Sequence, residues 1–223
     1  MTSTPSVMVF DVNETLSDMS PLSARFVEIG APADLARIWF AALLRDGFAL
    51  AAAGGTAKFS AIGSELLRGL LRDVAPTRSL DDAVTHIMHG FESLTLHPDI
   101  ADGIQALKSA GMRLVTLSNG SDQVAESLLT RAGLRSDFEA VLTVEDAPAW
   151  KPVQAAYDYA VAACGVKAAD LLLVAVHPWD IHGAARAGLG TAWLNRTDEA
   201  YPSYFAAPDY TITALSDLVP KLK

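Results

Sequence analysis

Residues 7–10 and 171–176 are apolar at every position instead of alternating between apolar and polar. A strand with both faces buried reads this way, and such strands occur in parallel sheets covered by helices on both sides. The sequence also predicts strands over 112–117 and 140–144 and near 191–194 and 210–212. Helical spacing over 104–110, 122–132, 153–163 and a stretch ending at Ala187 falls between them. Strands and helices in alternation at this spacing make βαβ units and a mainly parallel sheet. From about residue 22 to 96 the pattern is helical with no strand. Leu35, Ile38, Trp39, Ala42 and Leu43 share one helical spacing and Ile62, Leu66, Leu67, Leu70 and Leu71 another, with Gly54-Gly55 and Ala75-Pro76 as punctuation. The expected architecture is a discontinuous α/β core, residues 1–16 and 97–223, with a helical segment of residues 17–96 inserted after the first strand.

A chain of 223 residues can form one large domain, or a core with a smaller insert, around a sizeable apolar interior. Its formal net charge of -9 and lack of clustered Lys and Arg argue against a nucleic-acid partner. Cys164 is the only cysteine, which excludes an internal disulfide or a thiolate metal cluster. No apolar stretch approaches the ~20 residues that cross a bilayer. The N-terminus has neither the basic nor the apolar region of a signal peptide, so a cytoplasmic location is the expectation.

The first apolar run stops abruptly at Asp11, with Thr15 four residues later in a turn. In open α/β sheets the ligand crevice lies at the carboxyl ends of strands, so Asp11 is the leading candidate for a catalytic group. Three more polar clusters follow strands in the same manner. Ser118 and Asn119, with Gly120 and Ser121, open a helix whose free N–H groups suit an anion, although these residue types also serve as helix caps. Lys151 precedes Pro152 at a helix start. It is either a surface lysine or an ammonium that holds Asp11 ionised and oriented. Tyr157, within two turns of that helix, can add a phenol donor. The third run leads into His177, Pro178, Trp179 and Asp180. Asp180 can cap a helix, whereas His177 titrates near neutrality and can exchange protons with water. His86, His89 and His97 lack ligand spacing and read as ordinary helix or loop residues.

With Asp11 and Thr15, Ser118, Lys151 and Asp180 in this order, the chain resembles the haloacid dehalogenase superfamily over nearly its full length. Ser118-Asn119-Gly120, Lys151-Pro152 with Tyr157, Trp179-Asp180 and the stretch 194–197 resemble its 2-haloacid dehalogenase branch. The resemblance implies a Rossmann-like core with a helical cap domain inserted after strand one, and a hydrolase acting on carbon–halide bonds without a cofactor. It also implies a small haloacid substrate and a homodimer. Superfamily phosphatases use a second aspartate two residues after the nucleophile as an acid and base. Here that position is Asn13, which cannot exchange protons with an alkoxide, and residues 175–177 add no carboxylate for magnesium. Halide leaves without a proton.

On this likeness Asp11 attacks the halogen-bearing carbon to form an ester, and water attacks the ester carbonyl and releases a 2-hydroxy acid. Ser118 and Asn119 bind the substrate carboxylate, Lys151 and Thr15 place Asp11, and Asp180 and His177 orient or activate the water. Trp179, with Trp39, Phe40 and Phe59 of the inserted segment, keeps the site dry. The relatives carry a halide-contacting arginine directly after a tryptophan, where this chain has Phe40 after Trp39, and Arg45 is the candidate to replace it. The relatives' serine and asparagine before the last aspartate are here Ala175 and His177. A magnesium-dependent phosphatase of the same fold and a ligand-binding protein without turnover are the alternatives.

Overall fold

A computed structural model describes residues 5–74 and 76–222. Ala75, half of one expected punctuation, lies outside the described residues, as do positions 1–4 and 223 of the expected core.

The chain begins with β1 (Val7–Phe10) and a two-residue β2 (Ser17–Asp18). Helices α1 (Leu22–Glu28), α2 (Leu35–Ala52), α3 (Phe59–Leu71) and α4 (Leu80–Glu92) follow, then a short β3 (Thr95–Leu96). The alternating half comprises α5 (Ile100–Ser109), β4 (Arg113–Ser118), α6 (Asp122–Arg131), β5 (Ala140–Thr143), α7 (Gln154–Cys164), β6 (Leu171–Ala175) and α8 (Pro178–Arg186). It closes with β7 (Gly190–Leu194), β8 (Tyr210–Ile212) and α9 (Leu218–Lys221). The expected absence of strand up to residue 96 needs one correction, because β3 pairs antiparallel with β2. Two-residue strands are too short to leave a periodic signal in sequence.

The main sheet has the order β5-β4-β1-β6-β7-β8, and every pairing in it is parallel. The chain builds outward from β1 through β4 to β5, then returns to the other side of β1 and continues through β6. The order therefore reverses beside β1, and the crevice expected at such a point opens at the carboxyl ends of β1, β4 and β6.

Period-two alternation explains why β1 is apolar throughout. Val7 and Val9 face one apolar cluster, while Met8 and Phe10 face the other. The second cluster is closed by Ile100, Ile104 and Leu107 of α5 and by Leu128 and Leu129 of α6. The first is continuous with the helical block and takes in Trp39, Leu43, Leu67 and Phe91. Local signals set the helix ends: Ser79 caps α4 by accepting from the Asp82 N–H, Pro178 occupies the first turn of α8, and Gly165 ends α7 at φ 65°.

The helical block meets the sheet through aromatic side chains. Trp150, next to Lys151, lies against Gly47 of α2, where a Cβ would sit 2.3 Å from its ring. Its Nε1 donates to the Ala57 carbonyl, and Phe59 stacks on it at 6.2 Å. Phe48 of α2 packs edge-on against Trp179 at 4.8 Å.

Candidate active site

Asp11 follows β1 directly and is buried, with a donor on each side of its carboxylate. The Lys151 ammonium donates to Oδ1 at 2.9 Å. On Oδ2, the Thr15 hydroxyl donates at 2.6 Å and His177 Nδ1 lies at 3.1 Å. Thr15 Oγ1 itself accepts from the Val176 N–H at 3.1 Å, which commits its one proton to Asp11. Lys151, fully buried, also donates to Asp180 Oδ2 at 2.6 Å, and the Tyr157 phenol donates to Asp180 Oδ1 at 2.6 Å. Asp11 and Asp180, from two of the strand ends chosen from sequence, thus meet on the Lys151 ammonium, while Asn119 reaches only the Lys151 backbone and Ser118 does not touch it. Two of the plainer readings fall: Asp180 makes no capping bond to α8, and Lys151 is not on the surface.

Burial opposes the charged form of Asp11, but the Lys151 charge and the hydrogen bond and charge of His177 outweigh it, and its pKa falls well below the usual carboxylate range. Lys151 is pushed down by burial and up more strongly by Asp11 and Asp180, so it stays an ammonium. Asp180 is raised, by burial first, with Lys151 opposing and the Asp11 charge adding to the rise. Tyr157 is raised well above its ordinary value by burial and by the Asp180 charge, and remains a phenol donor. For His177 burial lowers the pKa, yet hydrogen bonds and charge from Asp11 and Glu14 lift it to about 9.

Several expected substrate contacts sit elsewhere than the sequence suggested. The Asn119 amide accepts from the Lys151 N–H at 2.9 Å and donates to the Lys151 carbonyl at 3.1 Å, so it fixes the lysine loop. Tyr157 is buried against Asp180, without a face toward a ligand. Arg45 is corrected outright. It is two-thirds exposed, pairs with the adjacent Asp46 and does not line the cavity beside His177. Counting 100° per residue turns it well off the face that carries Phe40.

That cavity, about 630 Å³, is lined by Glu14, His177, Phe40, Arg37 and Trp193 among others. Arg37, one turn before Phe40 on α2, makes no ion pair among the described residues. Ser118 Oγ accepts from the Gly120 N–H at 2.9 Å and donates no bond among the described residues. The Asn13 amide lies beside it, close to Gly120 and likewise without a hydrogen bond among the described residues. Trp179 stacks on the His177 ring at 4.9 Å, whereas Trp39 and Phe59 pack on Phe91 inside the helical block.

The sequence gives no role to Glu14, Arg37 or Phe48, reads His97 as an ordinary residue, and includes Arg196 only within the stretch 194–197. Glu14 holds His177 Nε2 at 2.8 Å. His97 and Arg196 both reach the Glu14 carbonyl, Arg196 also donates to the Thr15 carbonyl, and Asp99 anchors its guanidinium. Only the place of Arg37 and Phe48 on the helical face shared with Phe40 could have drawn attention to them.

The family model of the haloacid dehalogenase-like hydrolases matches residues 5–188, most of the chain and every member of the Lys151 cluster. The chain belongs to this family. Among haloacid dehalogenase-like relatives, a haloacetate dehalogenase from Moraxella sp. (strain B) is 33% identical over 122 residues, 55% of this chain and 54% of its own length. The chain thus spans about half the length of that relative. An (S)-2-haloacid dehalogenase from Burkholderia cepacia is 29% identical over 96% of this chain and 93% of its own. A solved L-2-haloacid dehalogenase superposes with a TM-score of 0.91 at 26% identity, covering 99% of both chains.

Proposed function

We propose that this chain is a hydrolytic dehalogenase that converts short 2-haloacids to 2-hydroxy acids and halide through an ester on Asp11. The reading is carried by one observation: an ionised carboxylate at the switch point of the sheet is neutralised by a buried ammonium, Lys151. Full-length similarity to a protein named as an (S)-2-haloacid dehalogenase supports the substrate class.

Asp11 Oδ2 already accepts two hydrogen bonds and Oδ1 only one, so Oδ1 keeps the freer lone pair and is the attacking atom. It bonds to the second carbon of the acid as the carbon–halogen bond breaks and halide departs with the electron pair. No proton is needed, which suits Asn13 in place of an acid. The Ser118 hydroxyl and Asn13 amide, flanking Gly120, receive the substrate carboxylate, and Arg37 draws the anion to the cavity. In the second step water adds to Cγ of the ester while Asp180 takes its proton. Asp180 then returns that proton to the departing alkoxide beside Lys151.

Magnesium, which the phosphatases of this fold use, does not fit here. Asn13 stands where those enzymes have a second aspartate and residues 175–177 add no carboxylate, which leaves only Asp11 and Asp180 as anionic ligands, and both already share the Lys151 ammonium. A divalent cation would face that charge at contact distance. The reading includes residues 17–96 as a cap over a core of 1–16 and 97–223. It also includes a homodimer, for which the apolar groove of Ala49, Leu50, Ala53, Ile62 and Leu66 between α2 and α3 offers a surface. No helix among the described residues is long and apolar enough to cross a membrane.

The test is free halide released from chloro-, bromo- and fluoroacetate and from 2-chloropropionate with a chelator present. Release that survives chelation and disappears in Asp11→Asn is expected. A single turnover in heavy-oxygen water is expected to leave label in Asp11. Phosphate release that requires magnesium, with no halide, overturns the reading.

A further inference from the structure

Both nitrogens of the His177 ring face carboxylate oxygens, Nδ1 toward Asp11 Oδ2 at 3.1 Å and Nε2 toward Glu14 Oε2 at 2.8 Å. An ionised carboxylate accepts hydrogen bonds and donates none, so both ring nitrogens carry hydrogen and the ring is a cation. We propose that His177, kept doubly protonated by Glu14, forms with Thr15 the oxyanion hole for hydrolysis of the Asp11 ester. This assignment rests on the dehalogenase reading above and adds Glu14 to it as a positioning residue that acts through His177.

When Oδ1 is alkylated, Oδ2 becomes the ester carbonyl oxygen, and its two donors are already in place. As water adds to Cγ, the carbonyl electron pair moves onto Oδ2, between the Thr15 hydroxyl and the His177 N–H. Donors aimed beforehand at a developing oxyanion need no rearrangement during the reaction, and a charged donor makes the stronger bond. The water proton passes to Asp180 and then to the alkoxide, which leaves with the former Oδ1 when the Cγ–Oδ1 bond breaks. Asp11 is restored with one oxygen from water, and its acid proton goes to solvent.

Glu14 is required because alkylation removes the Asp11 charge from beside the ring. Lys151, bonded to Asp11 and 5.8 Å from the Trp179 ring centroid, remains on one side, together with Asp180. On the cavity side stand Arg37, Arg196, His97, Asp18 and Glu199. Among the described residues Glu14 is then the one carboxylate still in hydrogen-bond contact with the ring. Without it, burial and the neighbouring cations would drive the proton off. The backbone is consistent with this role. Glu14 adopts φ 62°, a left-handed conformation uncommon for a residue with a side chain, and the turn is held there by His97 and Arg196.

The alternative role for His177, taking the proton of the attacking water, needs a neutral ring and predicts the opposite pH dependence. Wild-type protein is mixed with excess 2-chloropropionate from about pH 6 to about pH 10, a range that spans imidazole titration in this setting. Halide and the alkylated protein, the latter by intact mass, are followed to separate ester formation from ester hydrolysis. Hydrolysis is expected to be fastest at low pH and to fall as the ring loses its proton. Glu14→Gln is expected to move that fall to lower pH by about one unit or more, with Glu14→Asp restoring part of the shift. His177→Asn, which keeps an N–H donor but does not titrate, is expected to give slower hydrolysis that is flat with pH. Hydrolysis that rises with pH in the wild type, or an unmoved profile in Glu14→Gln, overturns the oxyanion assignment alone. Absence of both halide and ester in the wild type removes the dehalogenase reading and this one with it.

Discussion

The strand-end cluster and the helical block are held together by different forces. Around Asp11, charged and polar groups form one connected set in which Lys151, Thr15, His177, Tyr157 and Asp180 each satisfy another member. The block from α1 to α4 is held by burial of Trp39, Leu43, Leu67, Ile87 and Phe91. A polar network of this kind tolerates the loss of a member badly, because the partner left behind remains buried without compensation. An apolar block absorbs most single changes, unless they alter volume where helices or rings touch. Chemistry therefore depends on the first region, while access and selectivity can be tuned in the second.

The largest expected break in this comparison is Lys151→Met. It leaves Asp11 and Asp180 facing each other in the interior, a loss of about 3–5 kcal/mol by the usual cost of an orphaned buried charge. Denaturant unfolding at neutral pH measures it, and halide release is expected to vanish because Asp11 Oδ1 loses the donor that holds it in place. The next tests the same region without mutation. The His177 pKa is raised in the folded state to about 9, so its contribution to stability is complete below the unfolded value near 6.5 and is lost as pH climbs through 9. Unfolding free energy is expected to fall by a few kcal/mol, on the order of 3, between those limits, and His177→Asn to flatten that part of the curve.

In the helical block the sharpest expected break is Gly47→Ala, whose Cβ would collide with the Trp150 ring. A cost of about 2 kcal/mol is expected from overpacking, read as a lower melting temperature. Halide release falls with it if the clash shifts Lys151. Arg37→Ala is smaller still. Removing a cation at the cavity is expected to raise KM several-fold with little change in kcat, and high salt is expected to narrow the difference. Arg45→Ala completes the pair as the change that does nothing measurable to either quantity, since that guanidinium sits in solvent beside Asp46.

The parallel sheet was legible in sequence because strands buried on both faces leave continuous apolar runs, as in residues 7–10 and 171–176. Asp11 was legible for a related reason, whereas Thr15, Lys151 and Asp180 took their roles from the order of residues shared with the family. A polar residue that ends such a run has to lie at the rim of the sheet, and the crevice lies there too. The short β2–β3 pair left no trace, because two residues cannot show a period. Glu14 escaped because nothing in a turn glutamate distinguishes it from a solvated one. Its meaning comes from a histidine 163 residues away and from an unusual φ, neither of which one sequence displays. His97 was hidden in the same way, and Arg196 fell within the stretch 194–197 without its contact to the Glu14 turn being visible, since both act there on backbone carbonyls. Arg45 fails for a helical reason: it follows Trp39 on α2, but the angle around the helix turns it away from the face of Phe40, which carries Arg37 instead.

Trp150 and Lys151 are neighbours in the chain and belong to different neighbourhoods in space, one indole lodged against a helix of the inserted segment and one ammonium shared by two carboxylates. Successive Cα atoms are fixed about 3.8 Å apart across a trans peptide, so there is no slack between them. Any tilt of α2 that carries the indole along must be taken up by torsion at that single junction or be transmitted to the ammonium. The electrostatic balance at the bottom of the crevice is thereby mechanically tied to the posture of α2.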